Sequence, residues 1–533
     1  MAANPYPNSF TRLRDFLGIF LDSLIPSRKL LEKFRAQWGK PGNKEEGHPE
    51  RWFKLNPPEA AHVDQKTWDD LEFPKIFRLI DNTASPIGAQ VLHRQLREYL
   101  DDPADLDQRH RIHQQLRDDP ALRERLYHCL APITDASHAW VVDTLYAKVP
   151  EPPKHRMAIS LWGAASLLVM VVTLTGLLQP WLWLAMIPVN LIVLYHYSRP
   201  RLHEIETING CMHLMDAAEK LCATAGDLPL QTQLRNEAGA REQIRRAQRY
   251  RRLIHWIPEF MSPWLNLLFL LELIVHLWSM QRFYQVRQHL RRSFELVGGI
   301  DAAISMASAL AMFPQHCQPK IGNAMELEVI DGRHPLLSEG VANSLSLADR
   351  SALIIGSNMA GKTTFIKMLA INAILGRTQG FCLAHQATLP ATPVMAVIHG
   401  DHSVESGKSR YFAEIEAIRG FLQSSSRHAG GLFVIDEPFS GTNTAERIAI
   451  SCAVLQSLAR NSLVLVTSHD VELQDMLEAD YSLFHFQENP DIEGYFDYRL
   501  RPGAATERNA IRLLARVGFP NEVVQSAREG MTQ

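Results

Sequence analysis

The chain has 533 residues, enough for several domains that each bury a core of their own. Its formal net charge of −3 excludes a protein that is drawn to nucleic acid or anionic lipid by an overall basic field. The six cysteines form no C-x-x-C pair and no cluster with histidines, which excludes a zinc or disulfide framework and predicts free thiols in a reducing compartment.

The first 65 residues are predicted to form an N-terminal helical segment. An apolar patch at 16–21 is surrounded by charged residues and no cleavage site follows it, so a signal peptide is excluded. Two interpretations stay open, an amphipathic helix at a membrane surface and a short helix docked on the core.

Residues 66–150 are predicted to form the first part of a helical core. Apolar residues recur there at intervals of three and four, the spacing of one helix face. Two Asp-Pro pairs, Asp102-Pro103 and Asp119-Pro120, mark junctions at which one helix ends and the next begins.

Residues 157–198 contain no Asp, Glu, Lys or Arg. Gly176 and Pro180 divide this run into two halves of about 20 residues, each sufficient to cross a membrane as a helix. Basic residues flank both outer ends, so the positive-inside rule places both flanks in the cytoplasm. The run therefore predicts a transmembrane helical hairpin in the inner membrane of the cell, with the lipid bilayer as its partner. The alternative is a buried hairpin within a large soluble core.

Residues 199–315 are predicted to complete the helical core. The six arginines between Arg241 and Arg252 are interpreted either as the solvated face of a helix or as a site for phosphates of DNA or lipid. An apolar stretch from Trp256 to Met280 is interpreted as a packed helix, because arginines on both sides disfavour a single crossing. A re-entrant position, a membrane-surface position and a second hairpin stay open.

Residues 320–533 have the pattern of a nucleotide-binding domain. An apolar run at 351–355 leads into a G-x-x-x-x-G-K-T loop, which a segment of helical composition follows. Backbone N–H groups of such a loop close around phosphates, and its lysine reaches the β- and γ-phosphate oxygens. The residues expected to bind ATP are Gly356, Ser357, Asn358, Met359, Ala360, Gly361, Lys362, Thr363 and Thr364.

Two further apolar runs end in candidate catalytic residues. The run at 431–435 ends in Asp436 and Glu437; Thr363 and Asp436 are expected to hold Mg²⁺, while Glu437 polarises the attacking water. The run at 463–468 ends in His469, which is expected beside the γ-phosphate. The catalytic residues are thus predicted to be Glu437, Lys362 and His469. The predicted architecture is multidomain, a helical core with a transmembrane hairpin followed by an α/β P-loop ATPase domain of the ABC type.

The order and spacing of five motifs resemble the ATPase domain of the MutS family of DNA mismatch repair proteins. The motifs are Gly332-Arg-His-Pro335, the loop 356–363, Ser409-Arg-Tyr-Phe-Ala-Glu414, Asp436-Glu437 with Gly441-Thr-Asn-Thr444, and Ser468-His-Asp-Val-Glu-Leu473. Residues 79–88 and 295–305 resemble the start and the end of the family's helical core. The resemblance implies DNA as a partner and a homodimer in which Ser409 and the loop from Ser440 to Thr444 serve the partner's nucleotide. Ser357, Ala360 and Arg410 depart from the family pattern, which leaves the turnover rate unpredictable.

What is absent from the sequence limits the function. The family's mismatch reader uses an N-terminal Phe-x-Glu motif, whereas the Phe-x-Glu triplets here begin at Phe412 and Phe486, inside the predicted ATPase domain. The hairpin also takes the place of the family's DNA clamp. A short, membrane-anchored relative is predicted, an ATPase that senses DNA structure or assists mismatch repair at the membrane. The alternative is an ATP-gated membrane scaffold with no DNA role; a transporter is disfavoured because no Leu-Ser-Gly-Gly-Gln signature precedes Asp436.

Overall fold

The computed structural model describes most of the chain. The described residues are 26–44, 47–146, 155–198, 202–224, 262–271, 273–275, 277–278, 287–357, 360–398, 410–427, 430–488, 496–505 and 518–530. Several predictions fall on residues outside these ranges, namely the patch at 16–21, the arginines of 241–252, Asn358, Met359 and Ser409.

The described chain up to residue 312 is helical, as predicted. Its helices are α1 Pro26–Gln37, α2 Arg51–Leu55, α3 Gln65–Asp70, α4 Phe73–Ile80, α5 Pro86–Gln95, α6 Pro103–Asp118, α7 Pro120–Cys129, α8 Val141–Tyr146, α9 Arg156–Leu174, α10 Pro180–Leu184, α11 Met186–Ser198, α12 Leu202–Thr224, α13 Ser262–Phe269 and α14 Arg287–Met312. The two Asp-Pro junctions are confirmed. Asp102 accepts a hydrogen bond from the Ala104 N–H (2.8 Å) and Asp119 accepts one from the Leu122 N–H (2.9 Å), so both aspartates cap helices.

The rest of the described chain is a mixed α/β region, which also agrees with the prediction. Its elements are β1 Lys320–Gly322, β2 Glu326–Gly332, β3 Asn343–Ala348, β4 Ser351–Ile355, α15 Lys362–Gln379, β5 Gln386–Pro390, β6 Val394–Val397, α16 Arg410–Arg427, β7 Leu432–Asp436, α17 Thr444–Ala459, β8 Leu463–Ser468, α18 Glu472–Leu477, β9 Tyr481–Glu488, β10 Phe496–Pro502 and α19 Asn521–Gly530. Six strands form a sheet in the order β10-β9-β4-β8-β7-β6, parallel except for β10. Four short strands form a second sheet, β1-β5-β2-β3, which the sequence did not predict.

The central strands of the larger sheet are buried on both faces. In β7, Leu432 and Val434 join the apolar cluster shared with the helical region, whereas Phe433 and Ile435 join a second cluster on the opposite face. Because side chains alternate along a strand, this division explains why the strand sequences are continuously apolar rather than alternating.

Helix α14 forms the centre of the helical region and is tied to the start of α5 by a buried carboxylate. Asp301 accepts hydrogen bonds from the Ala84 N–H (2.6 Å), the Ser85 N–H (2.9 Å) and the Ser85 hydroxyl (2.6 Å). A side chain at Gly88 would bring its Cβ within 2.1 Å of Asp301 Oδ2, so only glycine fits this contact. The segments 79–88 and 295–305, far apart in sequence, therefore meet in one core.

The predicted hairpin consists of α9, α10 and α11. Both of its spans are long and apolar enough to cross a membrane, and only 17% of the first and 6% of the second are buried in the protein. Apolar side chains such as Leu161, Leu168 and Ile192 remain exposed on its surface. Helix α14 has comparable length and composition but is 78% buried, so it belongs to the helical core. The hairpin thus presents apolar surface that the described chain does not cover.

The helical region also closes one edge of the larger sheet. Among the described strands, β6 lies at that edge of the sheet. Side chains of the helical region accept hydrogen bonds from its outward N–H groups: Tyr99 Oη from Val394 (3.1 Å) and Thr67 Oγ1 from Ala396 (2.9 Å). Asp70 Oδ2 accepts another from the N–H of Ile398 (2.8 Å), the residue directly after the strand. The two regions are therefore joined by backbone-directed hydrogen bonds as well as by apolar packing.

Two buried histidines should make the helical region sensitive to acid. Burial lowers the pKa of His93 and of His113 to about 3, so each is neutral in the folded protein and takes up a proton near pH 6.5 only after unfolding. Their stabilising contribution is thus complete above pH 6.5 and is lost as the pH falls. As the pH falls from 7.5 to 5.5, each of the two histidines should lower the free energy of unfolding by about 1.4 kcal/mol.

This expectation can be measured by denaturant unfolding of the His93→Met variant, since methionine fits among the rings of Phe53, Trp68 and Phe77. The variant should lose about 1.4 kcal/mol less than the native protein over this pH range. The His128→Met variant, which changes an exposed histidine, is the control and should behave like the native protein. An equal acid response of the His93→Met variant and the native protein would contradict the assignment.

Candidate functional site

The loop between β4 and α15 forms the base of the site. Strand β4 ends at Ile355 and α15 begins at Lys362, the strand, loop and helix order that the sequence predicts. Gly361 has φ of +96°, a conformation that favours glycine, and a Cβ there would lie 3.1 Å from the Tyr498 ring. Ser357 Oγ is buried and has no hydrogen-bond partner among the residues that the structure describes. The positive end of the α15 dipole therefore lies at a glycine-containing loop. The Ser357 hydroxyl of this loop is available to bind a ligand.

Lys362 is almost fully buried, with 1% of its surface exposed. Its Nζ donates a hydrogen bond to the Gly356 carbonyl (2.6 Å) and lies 3.5 Å from Glu437 Oε1. Burial lowers the pKa of Lys362, while the nearby carboxylates of Glu437 and Asp436 oppose that shift. The Gly356 carbonyl and the Glu437 carboxylate thus help to hold the ammonium group inside the loop.

Thr363 and Asp436 bring three oxygen atoms together at the carboxyl ends of the parallel strands. The Thr363 hydroxyl lies 2.8 Å from Asp436 Oδ2 and 3.1 Å from Oδ1. The Thr467 hydroxyl, at the end of β8, donates to Asp436 Oδ1 at 2.5 Å, a contact that sequence reasoning missed. Hydroxyl and carboxylate oxygens are the ligands that Mg²⁺ prefers, so this donor set fits the predicted metal.

Glu437 follows the end of β7 in an uncommon backbone conformation. Its φ is +47°, in the left-handed region, and its N–H donates to the Thr467 carbonyl (3.1 Å). Non-glycine residues with such torsions are concentrated at functional sites, where surrounding structure holds them. This bend places the carboxylate near both Lys362 (3.5 Å) and His469 Nδ1 (3.7 Å).

His469 lies on the solvent-exposed side of the Glu437 carboxylate, and 42% of its side chain is exposed. The neighbouring Asp470 is fixed by two hydrogen bonds from Arg447, at 2.8 and 2.6 Å. Burial favours a higher pKa for Asp470, but the Arg447 guanidinium outweighs it and holds the pKa of that carboxyl below its ordinary value. The Arg447–Asp470 pair anchors the turn that carries His469, and it was not predicted.

A cavity of about 510 Å³ adjoins the loop on the side of Gly361 and Thr364. Its lining is mainly apolar and includes the rings of Phe365, Phe486 and Tyr498. His334 also lines it, and burial lowers the pKa of that histidine to about 4, so it is neutral. Sequence reasoning did not identify this cavity, although the motif that begins at Gly332 contributes His334 to its wall.

Helix α16 is connected to the bend after Glu437. Glu414 is buried, and its Oε1 accepts a hydrogen bond from the Phe439 N–H at 2.5 Å. Phe439 also has positive φ, +58°. Because α16 begins directly after residue 409, Glu414 joins the segment that follows Ser409 to the strand end that carries Asp436 and Glu437.

Comparison with known proteins gives one family. The family model for MutS domain V matches residues 352–533. The chain is similar to the DNA mismatch repair protein MutS of Thermus aquaticus, with 27% identity over 271 residues, 48% of this chain and 33% of that protein. It is also similar to the protein of the same name from Natronomonas pharaonis, with 27% identity over 268 residues, 47% of this chain and 31% of that protein. The chain thus matches about a third of the length of these curated relatives.

Proposed function

We propose that the chain, which the MutS domain V model matches over residues 352–533, binds and hydrolyses ATP with Mg²⁺ at the loop between β4 and α15. One observation carries the proposal. Lys362, Thr363, Asp436, Glu437 and His469 converge at the carboxyl edge of the parallel sheet, although they come from three separate strand ends. Ligands of such sheets bind at this edge.

Each residue has a role that follows from its contacts. Lys362 exchanges the Gly356 carbonyl and Glu437 for the β- and γ-phosphate oxygens of ATP, which are stronger acceptors. Thr363 and Asp436 would hold Mg²⁺, which when bound supplies charge neutralisation at the phosphates. Glu437, released from Lys362, orients the attacking water, and His469 lies beside it on the exposed side of the site.

The cavity next to Gly361 is proposed to receive the nucleoside. It adjoins the loop that would hold the phosphates, and its volume of about 510 Å³ falls in the range of small-molecule sites. The exposed face of Tyr498 and the ring of Phe486 offer planar surfaces for the base. ATP would thus extend from this cavity across Thr364 to Lys362.

Further, we propose that two copies pair through their C-terminal domains and that the protein acts on DNA. This part of the proposal is supported by the relatives, which are DNA mismatch repair proteins. In the pair, Ser409 would serve the partner's nucleotide.

ATP hydrolysis by the detergent-purified full chain should rise when duplex, mismatched or branched DNA is added. The stimulation should fall steeply with salt, because phosphate contacts release counterions on binding. Steady-state phosphate release at 50 and 200 mM salt measures it, and the Lys362→Ala variant controls for contaminating ATPases. Active protein that no DNA stimulates at low salt would favour the alternative, an ATP-gated membrane scaffold.

The hairpin is proposed to anchor the protein in the inner membrane, with both the helical core and the ATPase domain in the cytoplasm. Its exposed apolar side chains and its basic flanks support this position. The turn between the two spans, around Gln179, would then be the only part of the hairpin outside.

Cysteine labelling tests the anchor. In a background without native cysteines, the Gln179→Cys variant should react with a membrane-impermeant thiol reagent in intact cells, whereas the Glu151→Cys variant should react only after the cells are opened. The two variants are matched controls for each other. If neither reacts in intact cells and the protein washes from membranes in high salt, the hairpin belongs to a soluble core.

A further inference from the structure

The apolar stretch from Trp256 to Met280 contains a break in its helix. Helix α13 ends at Phe269, Leu270 has φ of +58°, and helical residues resume at 271. A helix end leaves its last carbonyl groups without intrahelical partners. Leu270 itself is fully buried, so water does not reach the backbone at this point readily.

Two polar side chains of the hairpin satisfy these carbonyl groups. Asn190 Nδ2 donates to the carbonyls of Leu267 (3.0 Å) and Leu268 (2.8 Å), and the Ser166 hydroxyl donates to the Leu268 carbonyl (2.7 Å). Asn190 and Ser166 are both fully buried, on helices that are otherwise almost wholly apolar. The Trp162 Nε1–H donates to Asn190 Oδ1 (2.8 Å) and fixes the orientation of the amide.

The start of the second arm is capped by a side chain of α13 itself. Asn266 Oδ1 accepts from the Leu273 N–H (3.3 Å), which caps the start of this arm. The backbones of α9 and α13 approach closely at Gly163. A Cβ at this position would lie 2.5 Å from the Phe269 carbonyl oxygen. Leu270, Leu273 and Leu277 complete an apolar cluster with the first span.

We propose that the described residues between 262 and 278 belong to a re-entrant membrane element whose outer face contacts lipid; this inference rests on the proposed membrane hairpin. Broken helices are tolerated at membrane depth only where protein groups satisfy the freed backbone. Asn190 and Ser166 supply those groups here, at the cost of burying polar atoms in apolar spans. A break on a water-exposed surface would not need them.

The depth of the break agrees with this position. Ser166 lies ten residues after Arg156, the start of α9, a rise of about 15 Å along the helix and about half the hydrocarbon thickness. The second arm returns to the cytoplasmic end of α9: the Trp278 Nε1–H donates to Ser160 Oγ (3.0 Å), and the Arg156 guanidinium lies 5.2 Å from the Trp278 ring. An aromatic ring beside a basic residue is typical of the membrane interface.

The connections of the segment require it to enter and leave on one side. Helices α12 and α14, which precede and follow it, pack in the same core through residues such as Leu214 and Phe294. An even number of crossings must therefore lie between them. The stretch from Trp256 to Met280 has 25 residues, whereas two full crossings take about 40. Among paths that enter the membrane, a re-entrant one fits both limits.

Topology labelling tests the proposal directly. In the cysteine-free background, the His255→Cys and Gln281→Cys variants bracket the stretch and should both react with an impermeant reagent only after the cells are opened. Reaction of either one in intact cells would overturn the re-entrant path in favour of a spanning helix. The Gln179→Cys variant, measured in parallel, reports the hairpin, so its failure to react in intact cells marks failure of the anchor instead.

A second measurement tests the role of Asn190. In opened cells, a Leu268→Cys variant should react at least about tenfold more slowly than His255→Cys, because it lies at membrane depth. Adding Asn190→Leu should abolish most of this protection, whereas adding the lipid-exposed control Ile192→Leu should preserve it. Equal rates for Leu268→Cys and His255→Cys, or unchanged protection with Asn190→Leu, would overturn the proposal. Labelling of Gln179→Cys with Asn190→Leu verifies that the hairpin still inserts.

Discussion

The Lys362→Ala variant should lose ATP binding. Its ammonium group is the only side-chain cation that the described structure places inside the loop, and it is almost fully buried there. Hydrogen bonds to charged groups contribute about 1.5–3 kcal/mol each, so the loss of two should weaken binding by about 10²-fold or more. Equilibrium binding of a fluorescent ATP analogue to the full chain in detergent measures the effect.

Lys367→Ala provides a matched control on the same helix. Lys367 lies further along α15 and pairs with Glu72 at 3.0 Å, away from the loop. Its replacement should leave ATP affinity within about twofold of the native value, because the Lys367–Glu72 pair lies away from the groups proposed to contact ATP. Undiminished affinity of the Lys362→Ala variant would remove the loop from the proposed site.

The Glu437→Gln variant should retain ATP but hydrolyse it about 10²-fold more slowly, or slower still. Glutamine keeps the size of the side chain and leaves Thr363 and Asp436 in place, but it cannot orient and polarise water as a carboxylate does. The change also removes the acid that holds Lys362 at 3.5 Å, so ATP should bind at least as tightly as before. Single-turnover hydrolysis and nucleotide binding, measured on the same preparation, separate the two effects.

Glu478→Gln serves as the comparison for this variant. Glu478 is an exposed acid at the end of α18, and its replacement should change neither binding nor turnover. If Glu437→Gln turns ATP over at the native rate, Glu437 has a structural role in the left-handed bend and another group must activate the water.

The parts of this structure that could be predicted are those encoded locally. Asp102 and Asp119 cap helices with residues two or three positions away, and the loop that begins at Gly356 needs only a strand before it and a helix after it. The order of strand ends then predicted that Asp436 and Lys362 would share one edge of a sheet. Patterns of this kind depend on a few neighbouring residues, and a single sequence contains them.

Contacts between distant segments were missed for the opposite reason. Tyr99 and Val394 are 295 positions apart, and neither residue type predicts the hydrogen bond between them. The break at Leu270 likewise occurs within a run of leucines, where composition alone favours a continuous helix. One sequence signal was Asn190, an amide in an apolar span, whose partner carbonyls become visible only in three dimensions.

The closure of β6 by the helical region bears on how the protein can be divided. A fragment that begins at residue 320 would lack Thr67, Asp70 and Tyr99, leaving the outer N–H groups of β6 as an open template for another strand. Such a fragment would tend to self-associate by adding strands, and the multimer would imitate nucleotide-dependent pairing. The oligomeric state of the ATPase region should therefore be measured in a chain that retains the helical residues bound to β6.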